Sequence, residues 1–248
     1  MINLYEFKDK VVLITGAGRG IGKALAIGFA KAGAKVACLA RSQDEIAQVV
    51  EEIHSFNGVA IAIKCDVTDL NSVTQAMRET LAYFGGLDIV FVNAGVNSVR
   101  RFIGDDDPSL WRQTIEVNLI GAYYTIRASI PYLKERGGGR IIAIGSGRGR
   151  RGDVKGSSYA CSKAGLWMLI RTVAEELKPF DITVNELIPG PVLTDMNAKF
   201  NENIDVIFTD GSEWIKQPDD VLPLAFFIAS QPLNGPTAQS YSLARREL

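Results

Sequence analysis

One stretch near the N-terminus, VVLITGAGRGIGKALAIGFAKAG (residues 11–33), constrains the fold more than any other. A short aliphatic run, rich in β-branched residues, leads into a glycine-rich turn, and the turn leads into an alanine-rich helical run. The glycines that suit a strand-to-helix turn are Gly16, Gly20 and Gly22, spaced G-x-x-x-G-x-G. Ile21 stands where the common G-x-G-x-x-G pattern would need its third glycine. The physical need is unchanged: a tight turn uses positive φ, and a helix start offers free N–H groups to an anion that the bare backbone can approach closely. A glycine-rich βα turn with no ligand is the alternative. Its place between the first strand and first helix favours nucleotide binding.

The same alternation continues along the chain. Apolar runs at 35–40, 59–67, 87–95, 140–146 and 182–190 are separated by helical stretches at 42–58, 68–86, about 108–135 and about 157–178. A short helix near 218–230 and a last strand at 241–243 follow. Ser42 and Thr68 or Asp69 suit N-caps, and Gly58 suits the end of the second helix. The strands are continuously apolar rather than alternating, as in a parallel sheet covered on both faces. We therefore expect one α/β domain spanning 1–248: a Rossmann-type doubly wound parallel sheet of about seven strands flanked by helices, with a variable segment near 195–217.

Composition narrows the function. With 27 Lys and Arg against 28 Asp and Glu, no global attraction to nucleic acid or an anionic membrane follows. The three cysteines, Cys38, Cys65 and Cys161, form no CxxC and read as buried thiols; the single histidine, His54, reads as a surface residue. Neither suggests a metal site. The opening MINLYEFKDK has no apolar run of signal-peptide length, and LPLAFFIA (222–229) is too short to span a bilayer, so a cytoplasmic location is expected.

In SSYACSKAG (157–165), Tyr159 and Lys163 lie four apart and share a helix face. A phenol titrates near ~10 in water, and an adjacent ammonium and a helix N-terminus both favour its anion, which suits acid–base work. Ser146 ends an apolar strand, where its hydroxyl can hold a carbonyl oxygen at the carboxyl edge of the sheet. Asn118 is a polar residue in an apolar helical stretch, suited either to a structural role or to holding a water.

Taken together, TGAGRGIG, VNAG (92–95), Asn118, Ser146, Tyr159 with Lys163, and PGPVLT (189–194) resemble the ordered motifs of the short-chain dehydrogenase/reductase family, from about residue 8 to about 196. The resemblance extends to its 3-oxoacyl-carrier-protein reductase-like branch. It implies that Tyr159 is the acid–base residue and that Lys163 binds the nicotinamide ribose. It implies further that Ser146 polarises the substrate carbonyl and that Asn118 holds a water in a proton relay. Gly16, Gly20 and Ile21 would contact the cofactor phosphates, Asp66 and Val67 the adenine, and Asn93, Ala94 and Gly95 the adenosine side. Pro189, Gly190, Val192 and Thr194 would flank the nicotinamide. VNAG stands where NNAG is more familiar, and the tail TAQSYSLARREL lacks a frequent V-D-G-G ending.

The expected activity is NADP(H)-dependent interconversion of a ketone and a secondary alcohol. A 3-oxoacyl-carrier-protein reductase and a non-catalytic nucleotide-sensing protein of the same fold are the alternatives. The second strand ends CLARS (38–42) with no acid at its tip, and Arg19 and Arg41 lie close to where the adenine ribose would sit. This favours NADP(H) over NAD(H). The loop GSGRGRRGDVKG (145–156) carries Arg148, Arg150, Arg151 and Lys155 against Asp153, and Arg100 and Arg101 follow the VNAG strand. These suit an anionic substrate or carrier protein, or else a solvated loop or subunit contact. Phe200, Phe208 and Trp214 offer apolar contacts in the variable segment. By family analogy the long helices pair between subunits in a homotetramer or homodimer.

Overall fold

The computed structural model describes residues 7–98, 100–152, 154–198 and 214–244. Its strands are β1 (Val11–Thr15), β2 (Lys35–Ala40), β3 (Val59–Lys64), β4 (Ile89–Val92), β5 (Gly139–Ile144), β6 (Ile182–Ile188) and β7 (Ser240–Ser242). They form one sheet in the order β3-β2-β1-β4-β5-β6-β7. Every neighbouring pair is parallel. The expected single doubly wound sheet of seven strands is therefore what the chain forms. Between the strands run α1 (Gly20–Lys31), α2 (Gln43–Ser55), α3 (Leu70–Phe84), α4 (Pro108–Ile115), α5 (Gly121–Glu135) and α6 (Ser157–Leu177). After β6 come α7 (Asp195–Ala198) and α8 (Leu222–Ser230).

The apolar runs become strands because both faces of the sheet are covered. In β1, Val12 and Ile14 point into one core with Leu25, Phe29, Phe91 and Phe226. Val11 and Leu13 point into the other, with Met77, Ile126, Ile141 and Ile170. Phe29 anchors the first core, with ring centroids 4.8–5.0 Å from Phe7, Phe91 and Phe226. Each such ring, fully buried, contributes about 2–3 kcal/mol by burial.

Caps set the helix starts. Ser42, Asp69 and Asp107 each accept a backbone N–H of the first turn of α2, α3 and α4. The end of α2 corrects the expected glycine. Asn57, not Gly58, takes the left-handed conformation (φ 61°). The N–H of Gly58 then reaches back to the Ile53 carbonyl, and that of Asn57 to the His54 carbonyl. The long helical region is also subdivided: a π-turn at Glu116–Ile120 separates α4 from α5. No helix among the described residues is long and apolar enough to cross a membrane.

The cysteines divide. Cys38 and Cys65 are buried, whereas Cys161 is exposed, contrary to the expectation for all three. Cys161 follows Tyr159 by two positions on α6, which turns it to the other side of that helix. Burial pushes the Cys38 thiol up to about 12 and the Cys65 thiol up to about 11, so neither forms thiolate near neutral pH. Iodoacetamide at mildly alkaline pH is therefore expected to modify the native protein at Cys161 alone. Cys38 and Cys65 should react only after denaturation. Peptide mapping checks this, and rapid native labelling of Cys38 would contradict the core placement.

Candidate active site

The sheet order reverses direction between β1 and β4, and the chain leaves these two strands toward opposite faces. That divergence leaves a crevice at the carboxyl edge. Thr15 and Asn93 hold its floor. The Thr15 hydroxyl donates to the Phe91 carbonyl and accepts the Asn93 and Ala94 N–H groups, at 3.0–3.3 Å. The Asn93 amide donates back to the Thr15 carbonyl at 2.9 Å and the Gly16 carbonyl at 3.2 Å.

The glycine loop is shaped by close approach. Gly16 (φ 67°) and Gly20 (φ 53°) use conformations that L side chains rarely adopt. A Cβ at Gly22 would overlap the Gly16 carbonyl and lie 2.6 Å from the Asn93 amide nitrogen. The start of α1 has no side-chain cap, unlike α2, α3 and α4, and no acid in its first turn. Its first N–H groups and positive dipole end therefore suit a phosphate.

A cavity of about 820 Å³ opens above this crevice. Gly16, Arg19, Gly20, Ile21, Arg41, Asp66, Val67, Asn93, Ala94 and Gly95 all lie on its wall. So do Ser146, Tyr159, Lys163, Pro189, Gly190, Val192 and Thr194. The uncapped helix start and bare glycine backbone fit the diphosphate of a nicotinamide dinucleotide, and the cavity volume is of the size such ligands need.

Lys163 is 5% exposed. Its ammonium donates to the Ile144 carbonyl at 2.7 Å and lies 5.8 Å from the Tyr159 ring centroid. The four-residue spacing thus places cation and phenol side by side, tied to the end of β5. Two residues beyond Ile144, the Ser146 hydroxyl oxygen accepts the Arg148 N–H at 3.2 Å. Its own proton remains available to a ligand oxygen.

Asn118 is placed differently from the other expected residues. It is 1% exposed and does not reach the cavity wall. Its side-chain oxygen accepts the Val96 N–H at 2.7 Å, and its amide donates to the Val96 carbonyl at 2.9 Å and the Ser162 hydroxyl at 3.0 Å. The side chain therefore ties the segment that follows β4 to α6.

The basic loop divides as well. Arg148 and Arg151 line the cavity, and so does Arg100, whose guanidinium donates to the Val154 carbonyl at 3.2 Å. Arg150 turns inward. It donates to the Glu186 carboxylate on β6 and, at 2.7 Å, to the Ser240 hydroxyl on β7; Ser240 also donates to Glu186 at 2.6 Å. Its guanidinium stacks 4.8 Å from the Trp167 ring, with Arg171 4.5 Å from the same ring. Burial and the nearby Arg150 charge both lower the pKa of Arg171, partly offset by Glu186. Lys155 lies over the Phe102 ring.

Trp214 is exposed, while Asp153, Phe200 and Phe208 lie outside the described residues. His54 is exposed as expected, with Nε2 donating to the Ala60 carbonyl at 3.0 Å.

Two acids that border or underlie this cavity were not singled out from the sequence. Glu186 is fully buried beneath the Ser146 loop, inside an apolar strand pattern where one acid was the only signal. Glu45 lies on the cavity wall against Gly18, although S-x-x-E at 42–45 reads as a helix start.

The family model described as short chain dehydrogenase matches residues 10–205. The chain is 37% identical over 196 residues to L-rhamnose 1-dehydrogenase (NAD(P)(+)) of Azotobacter vinelandii, covering 77% of this chain and 76% of that one. It is 34% identical over 228 residues to 3-oxoacyl-[acyl-carrier-protein] reductase of Synechocystis, covering 90% of each. A short-chain type dehydrogenase/reductase from Mycobacterium marinum superposes with a TM-score of 0.91 at 29% identity, covering 98% of this chain and 97% of that one.

The Arg150–Glu186 pair generates a prediction. Both side chains are largely buried, at 12% and 1% exposure. Glu186→Ala would leave the Arg150 charge without its carboxylate, which typically costs about 3 kcal/mol or more. Denaturant unfolding measures this, and a loss below about 1 kcal/mol would show that the pair does not anchor the loop.

Proposed function

The chain belongs to the short chain dehydrogenase family and is an oxidoreductase, and from that membership we propose that it interconverts a ketone and a secondary alcohol using NADP(H) in preference to NAD(H). The observation that carries this reading is the convergence of Ser146, Tyr159 and Lys163 with the glycine loop on one cavity.

A bound nicotinamide supplies hydride chemistry; the protein's part is positioning and proton transfer. In reduction, Tyr159 donates its phenolic proton to the substrate oxygen as that oxygen takes up negative charge. Ser146 donates a hydrogen bond to the same oxygen and stabilises the charge before the proton arrives. Lys163, held by the Ile144 carbonyl, stabilises the phenolate left behind and would hold the ribose of a bound nicotinamide. In oxidation the proton moves the other way.

Gly16, Gly20 and Ile21 hold the phosphates at the start of α1. Asp66 and Val67 border the adenine. One Asp66 oxygen already accepts the Thr68 N–H and hydroxyl, leaving the other for the ligand. Asn93, Ala94 and Gly95 line the adenosine side, and Pro189, Gly190, Val192 and Thr194 flank the nicotinamide. Arg19 and Arg41 favour a 2′-phosphate. Asn118 acts by positioning Val96 and Ser162 rather than by touching substrate.

Reduction of a 3-oxoacyl group on a carrier protein is the second reading. The similarity to the Synechocystis reductase over 90% of each chain favours it, as do Arg100, Arg148 and Arg151 at the rim. The same arginines suit a small carbonyl compound with an anionic substituent. The enzyme is proposed to be cytoplasmic and to form a homotetramer or homodimer through α5 and α6, where Tyr123 and Met168 are exposed.

Oxidation of NADPH and NADH should be followed across neutral ketones, oxo acids and acyl thioesters. Turnover with at least one carbonyl class is expected. Tyr159→Phe should lower kcat by about 10²–10⁴-fold while cofactor binding persists, because the phenolic proton is lost and the ring remains. Binding without turnover on any of these compounds in the unaltered protein would favour the nucleotide-sensing reading instead.

A further inference from the structure

The cofactor reading rests partly on a missing acid at the tip of β2, yet the fold delivers an acid to that place from elsewhere. Glu45 lies in the first turn of α2, where Ser42 accepts its N–H. Its side chain packs on the glycine loop itself: its Cβ and one carboxylate oxygen both lie 2.8 Å from where a Cβ on Gly18 would stand. The other carboxylate oxygen is 3.8 Å from the Arg19 guanidinium, and Asp195 at the start of α7 is 4.0 Å from the same nitrogen. Arg19, Arg41, Ser42 and Glu45 line one end of the cavity. Arg41 is exposed there and forms no ion pair among the described residues.

One of the two arginines expected to receive a 2′-phosphate is thus already faced by two carboxylates. We infer that Glu45 is a cofactor-selecting residue, which restrains the preference for a 2′-phosphate and lets the site accept a free ribose 2′-hydroxyl. The inference rests on the nucleotide-site reading of this cavity. The chemistry is direct. A 2′-phosphate carries close to two negative charges near neutral pH, so Glu45 repels it and competes with it for Arg19. A 2′-hydroxyl is neutral and donates a hydrogen bond to a carboxylate. Glu45 does this from five residues beyond the strand tip, because α2 starts beside the glycine loop and its positive end steadies the carboxylate.

Binding of two adenosine fragments tests this without turnover. Adenosine 2′,5′-bisphosphate and 5′-AMP are titrated calorimetrically into the unaltered protein, Glu45→Gln and Asp44→Asn. Asp44 lies in the same first turn of α2, exposed and off the cavity wall. Glu45→Gln is expected to shift the ratio of the two Kd values about five-fold toward the bisphosphate, and Asp44→Asn to leave it within about two-fold, as screening at an exposed site allows. An unchanged ratio in Glu45→Gln overturns the inference, as does an equal shift in Asp44→Asn. If the unaltered protein binds neither fragment, the nucleotide-site reading falls with it; binding of both with a fixed ratio removes only the role of Glu45.

Discussion

The hydrogen bonds between Thr15 and Asn93 hold the point on which the molecule turns. They join the ends of two adjacent parallel strands just where the chain must leave toward opposite faces of the sheet. Without side chains at Gly16 and Gly22, loop and helix close onto that junction, and the helix start faces the open edge of the sheet. In a parallel sheet covered on both faces, the crevice where strand order reverses is a natural opening at the carboxyl edge. The cavity is therefore a consequence of strand order, and its wall at the glycine loop is largely backbone.

The end of the cavity at Ser146 and Lys163 is built by a second set of ties. Lys163 is fastened to the last carbonyl of β5, and Ser146 follows two residues on. The loop between Ser146 and α6 is then pinned from below by Arg150, which reaches Glu186 on β6 and Ser240 on the edge strand β7. A Cβ at Gly145 would overlap the Glu186 carboxylate, so the loop lies directly over the buried acid. Three strands and one helix thus share the positioning of a few polar atoms, which suits a site where small displacements matter.

Charge is distributed unevenly along the cavity. Its acids, Glu45, Asp66 and Asp195, border the glycine loop and the ends of β3 and β6, while Arg100, Arg148 and Arg151 gather around the Ser146 loop. The nearest opposite charges are paired across short distances at one end, whereas the other end carries cations on two different loops. The two ends of one cavity therefore offer different electrostatic surroundings.

Local periodicity made the alternation of strands and helices legible, and the continuous apolar runs indicated a sheet covered on both sides. The four-residue spacing of Tyr159 and Lys163 on a helix was equally readable, since it depends only on helix geometry. Residues that act at a distance from their sequence neighbours were not. Arg150 read as one more cation in a basic loop, and only the meeting of that loop with β6 turned it inward onto Glu186. Glu45 read as part of a helix start until the packing of α2 against Gly18 placed it beside Arg19. Sequence by itself determined the elements and the chemistry each could carry, because those follow from backbone geometry over a few residues. Tertiary structure alone decided which charges face the cavity and which face each other, because electrostatic partners are set by distance in space and not along the chain.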